Sequence, residues 1–63
     1  MIYRDKEYEI GIIRKGDFAT VSLRAPIPVG ATVYIDEEPW EVLRAGPSPY
    51  VDGVTNLWLK LDS

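Results

Sequence analysis

The apolar positions of this chain alternate instead of recurring at helical spacing. Tyr8, Ile10 and Ile12, then Ala19, Val21 and Leu23, then Val33 and Ile35, Trp40 and Val42, and finally Leu57, Leu59 and Leu61 each fall two residues apart. That is the period of a strand with one buried face. β-Branched and aromatic residues fill these runs. Glycine or proline interrupts them at Gly11, Gly16, Pro26, Pro28, Gly30, Pro39, Gly46, Pro47, Pro49 and Gly53. No window between interruptions sustains an amphipathic helical stripe, so the pattern predicts short strands joined by turns.

The first two runs read as a hairpin turning at Lys15-Gly16. A two-residue turn there pairs Arg14 with Asp17, Ile12 with Ala19, Ile10 with Val21, Tyr8 with Leu23 and Glu7 with Arg24. One face is then wholly apolar, and the other carries opposite charges at 14/17 and 7/24 that favour the register. Ile13 and Phe18 sit opposite each other on the polar face, a patch that needs cover from another strand, a loop or another molecule. Gly11, on the same face, marks a bend or bulge.

Pro26-Ile27-Pro28-Val29-Gly30 is a connection, since proline has no amide to donate to a ladder. The second hairpin runs from Ala31 to Asp36, turns through Glu37-Glu38 and returns from Pro39 to Ala45. Val33, Ile35, Trp40 and Val42 point inward, and Thr32, Tyr34, Glu41 and Leu43 outward. Glu-Glu is poor chemistry for a tight hairpin turn, so a looser loop is expected. Gly46 to Gly53 reads as the longest connection and presents Tyr50. The last strand, Val54 to Leu61, directs its leucines inward and Trp58 outward. Two hairpins and a closing strand give an all-β fold, a small five-stranded SH3-like barrel or, alternatively, an OB-like one, as a single domain over residues 1–63.

Composition narrows the function. The chain has 63 residues, no cysteine and no histidine. Disulfides and thiolate zinc sites are excluded, as are the nucleophile pairs that use histidine as base. A domain of this size buries only roughly 60% of its unfolded surface, so stability is marginal and a partner is a natural source of support. The net charge is −3. Residues 1–31 hold five basic and four acidic side chains, and residues 32–63 hold two and six. An acidic, scattered charge argues against a protein whose main work is gripping phosphate backbones. With neither a membrane-length apolar run nor a signal-like N-terminus, a soluble cytoplasmic protein, or one assembled into a particle from the cytoplasm, is expected.

The segment Val29-Gly30-Ala31-Thr32-Val33-Tyr34-Ile35-Asp36-Glu37-Glu38-Pro39-Trp40-Glu41-Val42-Leu43 and the terminal Leu57-Trp58-Leu59-Lys60-Leu61-Asp62 carry a resemblance. From Pro28 to Leu61 the chain resembles the N-terminal KOW-type, SH3-like barrel domain of elongation factor P and its relatives. The resemblance implies the barrel and an RNA- or ribosome-facing alternative role. It does not imply translation-factor activity, because the loop matching the family's basic, modified loop is Gly46 to Gly53, which contains no Lys or Arg.

Asp36, Glu37, Glu38 and Glu41 are close in sequence, but a turn tip offers neither the six to eight oxygen ligands of calcium nor a buried catalytic carboxylate. Ser22, Ser48 and Ser63 have no histidine, and Lys6, Lys15 and Lys60 lie in charged or terminal settings. Neither an enzyme nor a cofactor, metal or small-molecule substrate is expected. The outward residues Ile13, Phe18, Tyr34, Leu43 and Trp58, with Tyr50 on its loop, have the composition of an interface core. The expected function is a protein-interaction or structural module, self-associating or docked in a larger assembly such as a phage or viral particle. An RNA-binding module is the alternative, and an acidic inhibitor or regulator the third.

Overall fold

The computed structural model describes residues 1–62. Its strands are β1 (Ile2–Tyr3), β2 (Lys6–Glu7), β3 (Gly11–Lys15), β4 (Phe18–Leu23), β5 (Thr32–Ile35), β6 (Glu38–Pro47) and β7 (Thr55–Leu61). They form one antiparallel sheet in the order β2-β1-β5-β6-β7-β4-β3. The sheet curls into a half-barrel with β2 and β3 as its two edges. The all-β, barrel-like expectation is met, with seven strands in place of five.

The two additional strands come from the N-terminus. Arg4 and Asp5 both take positive φ, 52° and 61°, which closes a two-residue turn between Tyr3 and Lys6. Reciprocal backbone bonds extend this ribbon, Tyr8 N–H to the Met1 carbonyl at 2.8 Å and the Met1 ammonium to the Tyr8 carbonyl at 3.1 Å. Ile2 pairs with Tyr34, which seats the ribbon against β5. Arg-Asp carries none of the usual signature of such a turn.

The β3–β4 hairpin turns one residue later than the sequence predicts. Gly16-Asp17 is the turn, with φ +62° at Gly16, and Lys15 pairs with Phe18. The register therefore reads Arg14 with Ala19, Ile13 with Thr20, Ile12 with Val21 and Gly11 with Ser22. Moving the turn by one shifts every cross-strand partner by two, so each side chain keeps its face. That is why Ala19, Val21 and Leu23 are buried as expected although their partners differ. The predicted 14/17 and 7/24 charge pairs are replaced by an ion pair from Arg14 to Glu38. Ile13 and Phe18 remain on the outer face but are diagonal neighbours, not opposite ones.

The β5–β6 turn is tighter than expected. Asp36 and Glu37, at φ 51° and 68°, form a two-residue turn between Ile35 and Glu38. Left-handed backbone costs a non-glycine residue about 1–2 kcal/mol, a strain offset here by the ladder pairs Tyr34–Pro39 and Val33–Trp40. The longest connection is Arg24 to Ala31, ahead of Ser48 to Val54. It is not merely a link, because Ile27 is buried in the core.

The core on the concave side comprises Ala19, Val21, Leu23, Ile27, Val33, Trp40, Val42, Leu57 and Leu59. Ile10, Ile35, Leu61 and Tyr8 pack half-buried around it. The bend in β6 lies at Leu43, where a bulge shifts the register between Val42 and Arg44. Gly11 instead opens β3, with no irregularity in its pairing.

Candidate interaction surface

The convex face can be followed across the sheet from its pairs. Ile13 lies beside Thr20, Thr20 beside Trp58, and Trp58 beside Arg44. The next row runs Lys15, Phe18, Lys60, Glu41 and Thr32. Bulging places both Leu43 and Arg44 opposite Trp58, so that two side chains of β6 meet one of β7. Strict alternation from Trp40 and Val42 would aim Arg44 at the core. The extra residue keeps it outside and turns Ala45 inward, where it packs half-buried.

Four of the six sequence-predicted interface residues come together. Ile13, Phe18, Leu43 and Trp58 line one shallow cleft of about 370 Å³ with Lys15 and Thr20. They are 76%, 55%, 43% and 40% exposed. The Arg44 guanidinium lies 5.3 Å from the centre of the Trp58 ring and fixes that side of the patch. Tyr34 is outward too, but it lies in the row of Ile2 and Pro39, separated from Trp58 by Thr32, Glu41 and Lys60. Tyr50 is 92% exposed on the Ser48–Val54 connection and does not join the cluster. Ser48 Oγ organises that connection by accepting from the Tyr50 and Val51 amides, both at 3.3 Å.

Charged residues are dispersed around this face. Glu41 faces Lys60 across the β6–β7 ladder, while Glu38 pairs with Arg14 at 3.1 Å on the opposite, concave side. Among the described residues no three acidic side chains converge on a metal-sized site. Ser22 Oγ donates to Asn56 Oδ1 at 2.9 Å, and Ser63 lies outside the described residues. A larger cleft, about 560 Å³, opens where Glu7 to Gly11 pass Ser22 to Arg24 and Val54.

Sequence reasoning missed Arg14 and Arg44, the two cations that lie over tryptophans. Arg14 is 4.9 Å from the Trp40 ring centre, and its Nε donates to the Gly16 carbonyl at 3.1 Å. Parity with Ile12 puts Arg14 on the inner face, not on the polar face where the expected pair with Asp17 set it, because residues two apart in a strand share a side. Among the described residues no helix is long and apolar enough to cross a membrane. No family model, curated protein or solved structure matches the chain. The class defined by fold and surface is a small curled β-sheet domain with an apolar convex patch.

Proposed function

We propose that this chain is a non-enzymatic protein-interaction module, a small structural subunit whose convex patch docks on a protein surface. The supporting observation is the convergence of Ile13, Phe18, Leu43 and Trp58 from four strands on the face that the chain's own core does not use. Full burial of a large apolar side chain favours association by about 1.5–3 kcal/mol. A few such residues at the centre of a patch carry most of an interface's energy. The SH3-like description belongs to this proposal: β3 to β7 supply the five-stranded curl, and the N-terminal ribbon is an addition along β5. A subunit built into a phage or viral particle from the cytoplasm fits the size and the surface.

The second reading is a single-stranded RNA-binding module, favoured by Arg44 over Trp58 with Lys15 and Lys60 nearby. Aliphatic Ile13 and Leu43, and Glu41 opposite Lys60, fit a protein partner better. Immobilised wild-type protein is expected to retain a stoichiometric protein partner from its source, and Trp58→Ser to lose it while staying folded. Tight RNA binding that weakens steeply with salt and disappears in Trp58→Ser refutes the protein reading.

A further inference from the structure

The two edges of the sheet differ. Edge strand β2 is two residues long and consists of Lys6 and Glu7, a length and charge that discourage pairing. At the other edge, β3 has five residues, all exposed, with no proline and with Ile12 and Ile13 in its middle. The register shows which of its backbone groups are free. Lys15 and Phe18 flank a two-residue turn and form a hydrogen-bonded pair, so Gly11, Ile13 and Lys15 aim their backbone groups at β4. The 2.7 Å bond from Leu61 N–H to the Asp17 carbonyl shows the same parity on the far side of β4. Ile12 and Arg14 therefore present N–H and C=O to the open edge.

We propose that this edge pairs with the same edge of a second copy, antiparallel about a two-fold axis at Ile13. Ile12 then exchanges both backbone bonds with Arg14 of the partner subunit, and Arg14 does so with the partner subunit's Ile12. Ile13 faces Ile13 of the partner subunit as a non-hydrogen-bonded pair, the kind with the closer side chains. Lys15 faces the partner subunit's Gly11 and lies diagonal to the partner subunit's Glu9, an opposite charge within reach of a long side chain. Arg14 is already neutralised by Glu38 at 3.1 Å, so it brings no free charge to the seam.

Neighbouring registers are worse. Centring on Arg14 sets it against its own copy, a like-charge pair, and centring on Ile12 leaves Arg14 and Lys15 opposite residues that precede the strand. The Ile13 register pairs the whole of β3 and joins the two convex patches into one apolar face. This deepens the interaction reading and rests on it at Ile13, whereas the backbone pairing is a separate device.

Sedimentation velocity of the full chain from micromolar to millimolar concentration tests it. A reversible monomer–dimer equilibrium is expected. Ile13→Lys and Ile13→Glu, folded by circular dichroism, each lose the dimer because like charges meet at the axis. An equimolar mixture of the two regains it as a one-to-one heterodimer. Amide exchange gives a readout without substitutions: the Ile12 and Arg14 amides gain protection as concentration rises, and the Ile13 amide does not change. A wild type monomeric throughout, a dimer that survives Ile13→Lys, or a mixture that stays monomeric overturns the proposal. Trp58→Ala separates the two ideas, since it removes patch binding and leaves edge pairing in place.

Discussion

Replacing Arg14 with alanine removes two contacts that tie an edge strand to the middle of the sheet and a third within its own hairpin turn. Its guanidinium covers the Trp40 ring at 4.9 Å, Nη1 donates to Glu38 at 3.1 Å, and Nε donates to the Gly16 carbonyl at 3.1 Å. Glu38 begins β6, which is separated from β3 by β7 and β4, so the side chain spans the concave side. The Arg14 and Glu38 side chains are 46% and 43% exposed, which limits the ion pair to about 0.2–1 kcal/mol. A partly exposed cation over tryptophan adds about 0.5–1 kcal/mol, and the exposed bond to the carbonyl roughly 0.5 kcal/mol. Arg14→Ala is therefore expected to lower stability by about 1–2 kcal/mol. A chain this short has roughly 3–9 kcal/mol in total. The midpoint of thermal unfolding should fall by about 5–15 °C, with Trp40 emission reporting the loss of cover in urea titrations. A double-mutant cycle with Glu38→Gln should assign less than about 1 kcal/mol to the ion pair, leaving the ring contact as the larger share. A change within about 0.5 kcal/mol, the range of an ordinary surface substitution, would refute the idea that Arg14 closes the half-barrel.

Ile27→Ala is expected to cost about 2–5 kcal/mol, enough to leave much of the chain unfolded by circular dichroism, because the connection contributes a fully packed core residue. Unchanged stability would mean that the segment is only a link. Glu37→Gly relieves a φ of 68° and should stabilise by about 0.5–1 kcal/mol in urea unfolding; a lower midpoint would show the turn to be held by contacts of the glutamate. Trp58→Ala should cost only about 1 kcal/mol, since the ring lies on the outer face, while abolishing partner capture in the immobilised-protein assay. Retained capture would place the binding surface elsewhere.

Much of this fold is legible in the chain. Period-two spacing identified the buried residues of β4, β5 and β7 and the outward aspect of Trp58, because a strand's side chains must alternate whatever it pairs with. Turn placement was less legible. Gly16 marks the turn, but whether it stands first or second there depends on small differences in turn geometry, and the faces tolerate either position since the register moves by two. At Asp36-Glu37 and Arg4-Asp5 an aspartate, which tolerates left-handed backbone, shares the turn with a glutamate or an arginine, which does not, so local preference is divided at both turns. The bulge at Leu43 has no sequence marker. It is needed where a long strand must bend to serve both the β5 and β7 sides, and that requirement appears only once the neighbours are in place.

The class of structure, the apolar set of the core and the surplus of large apolar side chains that cannot all face inward follow from the order of residues alone. With no cysteine and no histidine, this chain supplies neither a thiol nor an imidazole of its own. That β4 neighbours β7 instead of β5, that the N-terminal ribbon caps β5, and that Ile13, Phe18, Leu43 and Trp58 share one patch while Tyr34 and Tyr50 stand apart emerges with the folded sheet. The difference is one of range. Face selection is a property of each residue and its next-but-one neighbours, whereas strand order and the meeting of side chains from four strands depend on non-local pairings chosen by the packing of the whole core.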